Sequence, residues 1–267
     1  MMLYFGSFNP IHNGHIALAE YVVEQDLCDE VALMISPQSP HKIDTAQTPE
    51  MDRYEMAELA CKASKYPDKI RPSVVEFLLP KPSYTINTLR YLSENFDDQM
   101  QLSILLGADQ LDRLDTWKEY EKVLEYPMYI YPRLGGVMPQ KFADRITMLE
   151  DAPLHNISST EVRRRVEAGE DTSTMISKDV AEYIRKKGLW SAAVRIAMLN
   201  SQLEAEPENV ELLLERGKLH YRHNEWGAAL NDFNTVLRLN PQHEEARQFI
   251  EMVQEILEFR YTDIYNP

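Results

Sequence analysis

Five apolar runs of strand length, at residues 2–5, 31–35, 74–79, 102–106 and 128–131, alternate with helical patterns at about 14–25, 50–64, 84–95 and 117–124. Strands joined by crossovers of helical length pair in parallel, and a parallel sheet is covered by helices on both faces. The fold class expected is therefore α/β. Ligands of such sheets gather beyond the carboxyl ends of the strands. The chemically expressive residues fall there: Gly6 to His15 after the first run, Ser36 to Lys42 after the second, Pro80 to Thr85 after the third and Gly107 to Asp109 after the fourth. A strand around 152–157 is expected to feed Ser158 and Ser159, which can cap a helix over 160–168.

The first of these turns carries most of the information. Leu3-Tyr4-Phe5 is apolar, Gly6-Ser7 breaks it, and Phe8-Asn9-Pro10-Ile11-His12-Asn13-Gly14-His15 leads into a helical run from Ile16 to Val23. Gly6 lets the backbone turn where the strand ends, and Gly14 lets the helix start close to a ligand. His12 and His15, three positions apart, share one side of that helix. A helix N-terminus with two imidazoles suits the phosphates of a nucleoside triphosphate. Metal ligation would need further ligands and a second shell, which the neighbouring residues do not offer, so no metal ligand is assigned.

Ser158-Ser159-Thr160-Glu161-Val162-Arg163 is the second strong element. Ser158, Ser159 and Thr160 can offer hydroxyls and backbone N–H groups to an anion, and the Arg163 fork can return to the same phosphates. Arg164 and Arg165 read as solvated. Lys42, in a proline-bounded loop, is open between phosphate contact and solvation. Gly107 and Asp109 follow a strand, where the carboxylate can accept ribose hydroxyls. Ser83, Tyr84 and Thr85 open a helix whose first N–H groups can hold a small carboxylate or amide. Trp117, expected at a helix start, divides evenly between core packing and stacking on an aromatic ring. Arg133, after the run 128–131, is expected as a further nucleotide contact.

The formal charge of -15 argues against nucleic acid or an anionic membrane as the main partner. Acidic residues outnumber basic ones both in 1–190, by 30 to 21, and in 191–267, by 13 to 7. Cys28 and Cys61 have no metal-ligand spacing and read as reduced thiols. No apolar run reaches the roughly 20 residues that span a bilayer. The first strand begins at residue 3 and leaves no room for a signal peptide, so a cytoplasmic location is expected.

A different periodicity begins near residue 189. Pro207 and Pro241 stand 34 residues apart, the repeat length of the tetratricopeptide helix–turn–helix, and Leu213, Gly217, Ala229 and Phe233 fall where that repeat packs. His220 stands where an aromatic is usual. The expected helices are 209–222 and 225–238, flanked by 191–205 and 243–259. One repeat is few for a free-standing solenoid, so this region is expected to lean on the first domain, on a protein partner or on a second copy.

Taken together, Gly6 to His15 and Ile157 to Arg163 resemble the HxGH and ISSTxxR-like signatures of a nucleotidyltransferase superfamily. Ser36 to Lys42, Pro82 to Leu89, Gly107 to Leu111 and Trp117 are similar to the corresponding segments of bacterial nicotinate-nucleotide adenylyltransferases. The resemblance covers about 1–190, ending with Val180 to Leu189. It implies a Rossmann-like parallel-sheet nucleotidyltransferase domain over 1–189, and the 34-residue periodicity adds a small all-α tetratricopeptide-like domain over 190–267 that this resemblance does not explain. It further implies adenylyl transfer from ATP, with Mg2+, to nicotinate mononucleotide, giving deamido-NAD and pyrophosphate. His12, His15 and Arg163 would serve as catalytic residues on the triphosphate. Gly6, Ser7, Phe8, Gly14, Lys42, Gly107, Asp109, Arg133, Ser158, Ser159 and Thr160 would bind the nucleotide, and Ser83, Tyr84, Thr85 and Trp117 the nicotinate. Ser7 and Asn9 replace the threonine and aspartate more usual in the family. Related acceptors, nicotinamide mononucleotide or pantetheine phosphate, and a non-catalytic nucleotide-binding scaffold are the alternatives.

Overall fold

The computed structural model describes residues 1–38, 40, 48–96, 101–132 and 141–264, with side chains through residue 257. Six strands, β1 (Met2–Gly6), β2 (Val31–Ile35), β3 (Ile70–Ser73), β4 (Ser103–Gly107), β5 (Met128–Tyr131) and β6 (Ile146–Met148), form one sheet in the order β3-β2-β1-β4-β5-β6. Every neighbouring pair is parallel, with Leu3 of β1 beside Ala32 on one side and Ile104 on the other. The chain steps outward from β1 to β3, then crosses back to β4 on the other side of β1. That reversal opens a crevice beyond the carboxyl ends of β1 and β4, where ligands of such sheets bind.

The helices that cover the sheet each bury one side, where small and apolar residues recur at helical spacing. In α1 (Asn13–Glu24) these are Leu18, Ala19, Val22 and Val23, and in α2 (Glu50–Lys62) Met56, Ala57, Ala60 and Cys61. Ile86, Leu89 and Leu92 of α3 (Thr85–Asn95) join Ile104, Leu106 and Ile130 in one buried cluster. Each such side chain contributes about 2 kcal/mol by leaving water. Beyond β4 come two short helices, α4 (Ala108–Leu111) and α5 (Tyr120–Val123), and later α6 (Ser159–Ala168) and α7 (Lys178–Lys187). Tyr183 of α7 donates its hydroxyl to Asp52 of α2 at 2.7 Å.

Three expected elements differ. The run 74–79 is not a strand: Val75–Phe77 is a 3-10 turn, Val74 and Leu78 are exposed, and the third strand is the preceding Ile70–Ser73. Pro72 disguises that strand in the sequence, and it is tolerated because β3 lies at the sheet edge. Residues 152–157 do not form a strand either, and the last strand is β6. Pro153 has no N–H for a ladder. The helix expected over 117–124 is only Tyr120–Val123, so Trp117 precedes it and ends a 3-10 turn at Leu114–Thr116.

The chain forms two compact units, Met1–Arg165 with Asp171–Lys187, and Val166–Glu170 with Gly188–Pro267. The second is all-helical: α8 (Ala192–Ala205), α9 (Val210–Arg222), α10 (Trp226–Leu239) and α11 (Glu244–Ile264). Asn209 caps α9 by accepting from the backbone N–H groups of Glu211 and Leu212, each at 3.1 Å. Leu213, Ala229, Phe233 and Val236 share one core with Ala246 of α11. Gly217 lets α9 approach the Phe233 ring, since a Cβ there would lie 2.7 Å from Cε1. Arg216 and Asp232 pair beside this core. Among the described residues no helix is long and apolar enough to cross a membrane.

Candidate active site

The loop after β1 is shaped by its own aromatic ring. A Cβ on Gly6 would come within 2.9 Å of Phe8, so glycine is what allows the Phe8 ring to fold back beneath the strand end. Phe8 adopts a left-handed backbone conformation, and its buried ring packs edge-on to Tyr4 and His15. His12 then caps α1: its backbone N–H donates to Nδ1 of His15 at 3.1 Å. With Nδ1 holding a lone pair, the neutral His15 ring carries its proton on Nε2. The two imidazoles stack at 3.5 Å between centroids, 20° from coplanar. A side chain at position 14 would crowd His12 Nδ1 at 3.2 Å and His155 Cβ at 3.1 Å. Gly14 thus acts from behind the pair.

The start of α6 is held against the same loop. Ser159 Oγ donates to the Pro10 carbonyl at 2.8 Å, and Arg163 Nη1 to the Asn9 carbonyl at 2.6 Å. Arg163 Nη2 also reaches Thr160 Oγ1 at 3.1 Å. Burial draws the Arg163 guanidinium below its ordinary pKa range. Ser158 Oγ accepts from the Glu161 N–H and caps the helix. Arg164 and Arg165 are engaged instead by Glu161, whose carboxyl is lowered to about 2 by hydrogen bonds from Arg164 and then Arg165.

A cavity of about 630 Å³ opens between these segments at the carboxyl ends of β1 and β4. Its phosphate-suited wall is Gly6, Ser7, Phe8, His12 and His15 with Ser158, Ser159, Thr160 and Arg163. Ser83, Tyr84, Thr85, Gly107 and Trp117 also line the cavity. Trp117 both lines the cavity and packs against the sheet core, so the two readings of its indole are compatible. Asp109 is not in the wall: it is exposed and accepts a hydrogen bond from Gln110, which is. Lys42 and Arg133 lie outside the described residues.

Three residues shape this site without belonging to either signature. Arg53 of α2 is 1% exposed and donates to the carbonyls of Thr48, Ser7, Ser36 and Pro37, at 2.9, 2.8, 2.8 and 3.2 Å. One guanidinium thereby ties the loop after β1 to the loop after β2. Glu76 is 2% exposed, lines the cavity, and accepts from Thr88 of α3 at 2.8 Å. Burial pushes its carboxyl pKa up, against the opposing influence of the Ser36, Thr88 and Ser83 hydroxyls. Lys118 lines the wall beside Trp117. The signals are readable in retrospect: Arg53 sits in register with Met56, Ala57 and Ala60, and Glu76 interrupts an apolar run. Lys118 has no such mark.

The cytidylyltransferase-like family model matches residues 3–165. Relatives named as nicotinate-nucleotide adenylyltransferases include one from Cytophaga hutchinsonii, 37% identical over 190 residues, covering 71% of this chain and 97% of that protein. Another, from Bacteroides thetaiotaomicron, is 37% identical over 185 residues, covering 69% and 90%. The chain belongs to the cytidylyltransferase-like family, in its nicotinate-nucleotide adenylyltransferase branch. The fold agrees: a Plasmodium falciparum nicotinic acid mononucleotide adenylyltransferase complexed with NaAD superposes with a TM-score of 0.61 at 20% identity, over 71% of this chain and 96% of that one.

This family member concentrates cationic and donor groups at one end of the cavity, although its overall charge is -15. Among the described residues no three His, Cys, Asp or Glu side chains group as a metal site. The imidazole, hydroxyl and guanidinium groups of the phosphate-suited wall are donors matched to phosphate oxygens.

Proposed function

We propose that this chain transfers the adenylyl group of ATP to nicotinate mononucleotide, forming nicotinate adenine dinucleotide (deamido-NAD) and releasing pyrophosphate. The observation that carries this reading is the stacked His12–His15 pair set beside Arg163 in one wall of a nucleotide-sized cavity at the sheet's switch point. A phosphate oxygen of the mononucleotide attacks the α phosphorus of ATP. The new P–O bond forms as the bond to the bridging oxygen of pyrophosphate breaks, in line and without a covalent enzyme intermediate. The nucleophile is already an anion, so no base is required, and catalysis rests on positioning and on stabilising charge.

In this reading His15 Nε2–H, His12, Arg163 and the N-terminus of α6 hold the triphosphate, where charge grows as pyrophosphate departs. Mg2+ carried on the ATP phosphates would supply charge neutralisation beside His12, His15 and Arg163. The first N–H groups of α3, behind Tyr84 and Thr85, hold the ring carboxylate, and Trp117 stacks on the pyridine. The test is turnover of ATP with nicotinate or nicotinamide mononucleotide, followed by release of pyrophosphate. Strong preference for the amide would overturn the acceptor assignment.

The same proposal divides the chain into a catalytic domain, 1–189, and a tetratricopeptide-like helical domain, 190–267, that binds a protein partner or a second copy. Gly217 against Phe233 is the close helix approach such a repeat requires. Truncation after residue 189 tests it. Retained activity with a changed oligomeric mass identifies an interaction module, and loss of soluble protein identifies a buttress.

A further inference from the structure

At the acceptor end of the cavity, Lys118 Nζ stands 5.1 Å from the centroid of the Tyr84 ring and 3.4 Å from Asn87 Oδ1. It is thereby held over the first turn of α3. Among the described residues no carboxylate pairs with it, and neighbouring Glu119 is taken by Arg90 and Lys122. An ammonium group has three donors, and one ring face and one long hydrogen bond do not use them up.

The surroundings call for an acceptor. Trp117 Nε1 is buried with no hydrogen-bond partner among the described residues. Tyr84 caps the 11-residue α3 without a side-chain hydrogen bond, so the helix presents its first N–H groups. The acidic side chain in this wall, Glu76, is held through Oε1 by Thr88, and burial favours its neutral form. A ring carboxylate brings two acceptor oxygens and a negative charge to this cluster. A carboxamide brings one acceptor, and an NH2 group facing other donors.

We propose that Lys118 is a specificity-determining residue whose ammonium pairs with the ring carboxylate of the acceptor and selects it over the carboxamide analogue. The proposal rests on the adenylyl-transfer reading above and adds the group that would give it acid selectivity. A charge-assisted hydrogen bond lost from one substrate and not from the other changes relative specificity by about tenfold or more.

The experiment measures kcat/KM for nicotinate and nicotinamide mononucleotides separately, in the wild-type chain, K118Q and K118R, at low and high salt. K118Q is expected to lower the acid-to-amide ratio about tenfold or more, and K118R to stay within about threefold of wild type. High salt is expected to erode the ratio in the wild type but not in K118Q. An unchanged ratio in K118Q, or an equal loss on both acceptors, overturns the role of Lys118. If K118Q does not fold, the wild-type salt series decides, and a ratio indifferent to salt overturns the proposal. Failure of the wild type to turn over either acceptor with ATP overturns the adenylyl-transfer reading itself.

Discussion

Arg163 Nη1 donates to the carbonyl oxygen of Asn9 at 2.6 Å, across 154 residues of chain. That bond joins the start of α6 to the loop after β1, so the two anion-suited segments are set against each other before any ligand arrives. Ser159, donating to Pro10 at 2.8 Å, makes the same join one turn earlier in the helix. Preorganised donors of this kind need not reorient as charge develops. The loop supplies only carbonyls to Arg163 and Ser159, so its histidines keep their orientation toward the cavity.

His15 has two separable duties. Its Nδ1 accepts the His12 N–H at the start of α1, and its ring stacks on His12. H15A is expected to lower kcat/KM by about two orders of magnitude or more, and also to cost about 1 kcal/mol through the lost cap. H15Q restores an acceptor at the third helical position, as in a capping box. It should therefore recover thermal stability without recovering turnover. Recovery of both in H15Q would remove the phosphate role.

Arg53 answers four carbonyls from inside the protein. R53M leaves those acceptors buried without a donor, at about 1–3 kcal/mol each before relaxation. The expected result is a loss of more than about 4 kcal/mol, read by denaturant unfolding. R53K keeps the charge but not the fork, so it should fold with a raised KM for ATP as the Ser7 and Ser36 loops loosen. Wild-type stability in R53M would show that the loops do not depend on this residue.

Local signals made much of this fold and site legible in the sequence. Gly6, Gly14 and the histidines announce a turn into a helix, and Ser158 to Arg163 announces another, because caps and glycines act within a few residues. The sheet edge was harder: β3 carries Arg71 and Pro72 and becomes a strand only by pairing with β2. Arg53, Glu76 and Lys118 were harder still, since their partners come from other elements. That Gln110 and not Asp109 lines the cavity depends on where α4 starts after Gly107, a boundary that residue types alone do not fix.

Gly217 offers a test confined to the helical unit. A methyl group at this position would stand 2.7 Å from Cε1 of Phe233, whose buried ring stacks on Phe249 at 5.0 Å between centroids. Neither ring is a flexible chain end, so the helices must part. G217A is expected to cost about 1–3 kcal/mol despite the better helix propensity of alanine. Hydrogen exchange should quicken in Val210–Leu239 and remain slow in β1 and β4. Unchanged protection of α9 and α10 would mean that the close approach carries no energy.

Glu76 supplies a pH dependence whose sign follows from its burial. Its ordinary value is 4.5, and burial raises it in the folded protein. Well below pH 4.5 the carboxyl is protonated in both states, and its burial costs no charge. As pH rises above that value the unfolded chain ionises while the folded chain keeps its proton, so the native state binds more protons and stability falls. The loss continues until pH passes the folded pKa. Glutamine retains the acceptor for the Thr88 hydroxyl and cannot ionise, so E76Q removes this dependence. The melting temperature of E76Q minus that of the wild type should therefore widen from pH 4.5 toward neutrality. Glu119 and Glu161, both lowered to about 2, titrate identically in the two proteins and cancel in the difference. Parallel melting curves for the two proteins across that range would show that Glu76 ionises in the fold at no cost.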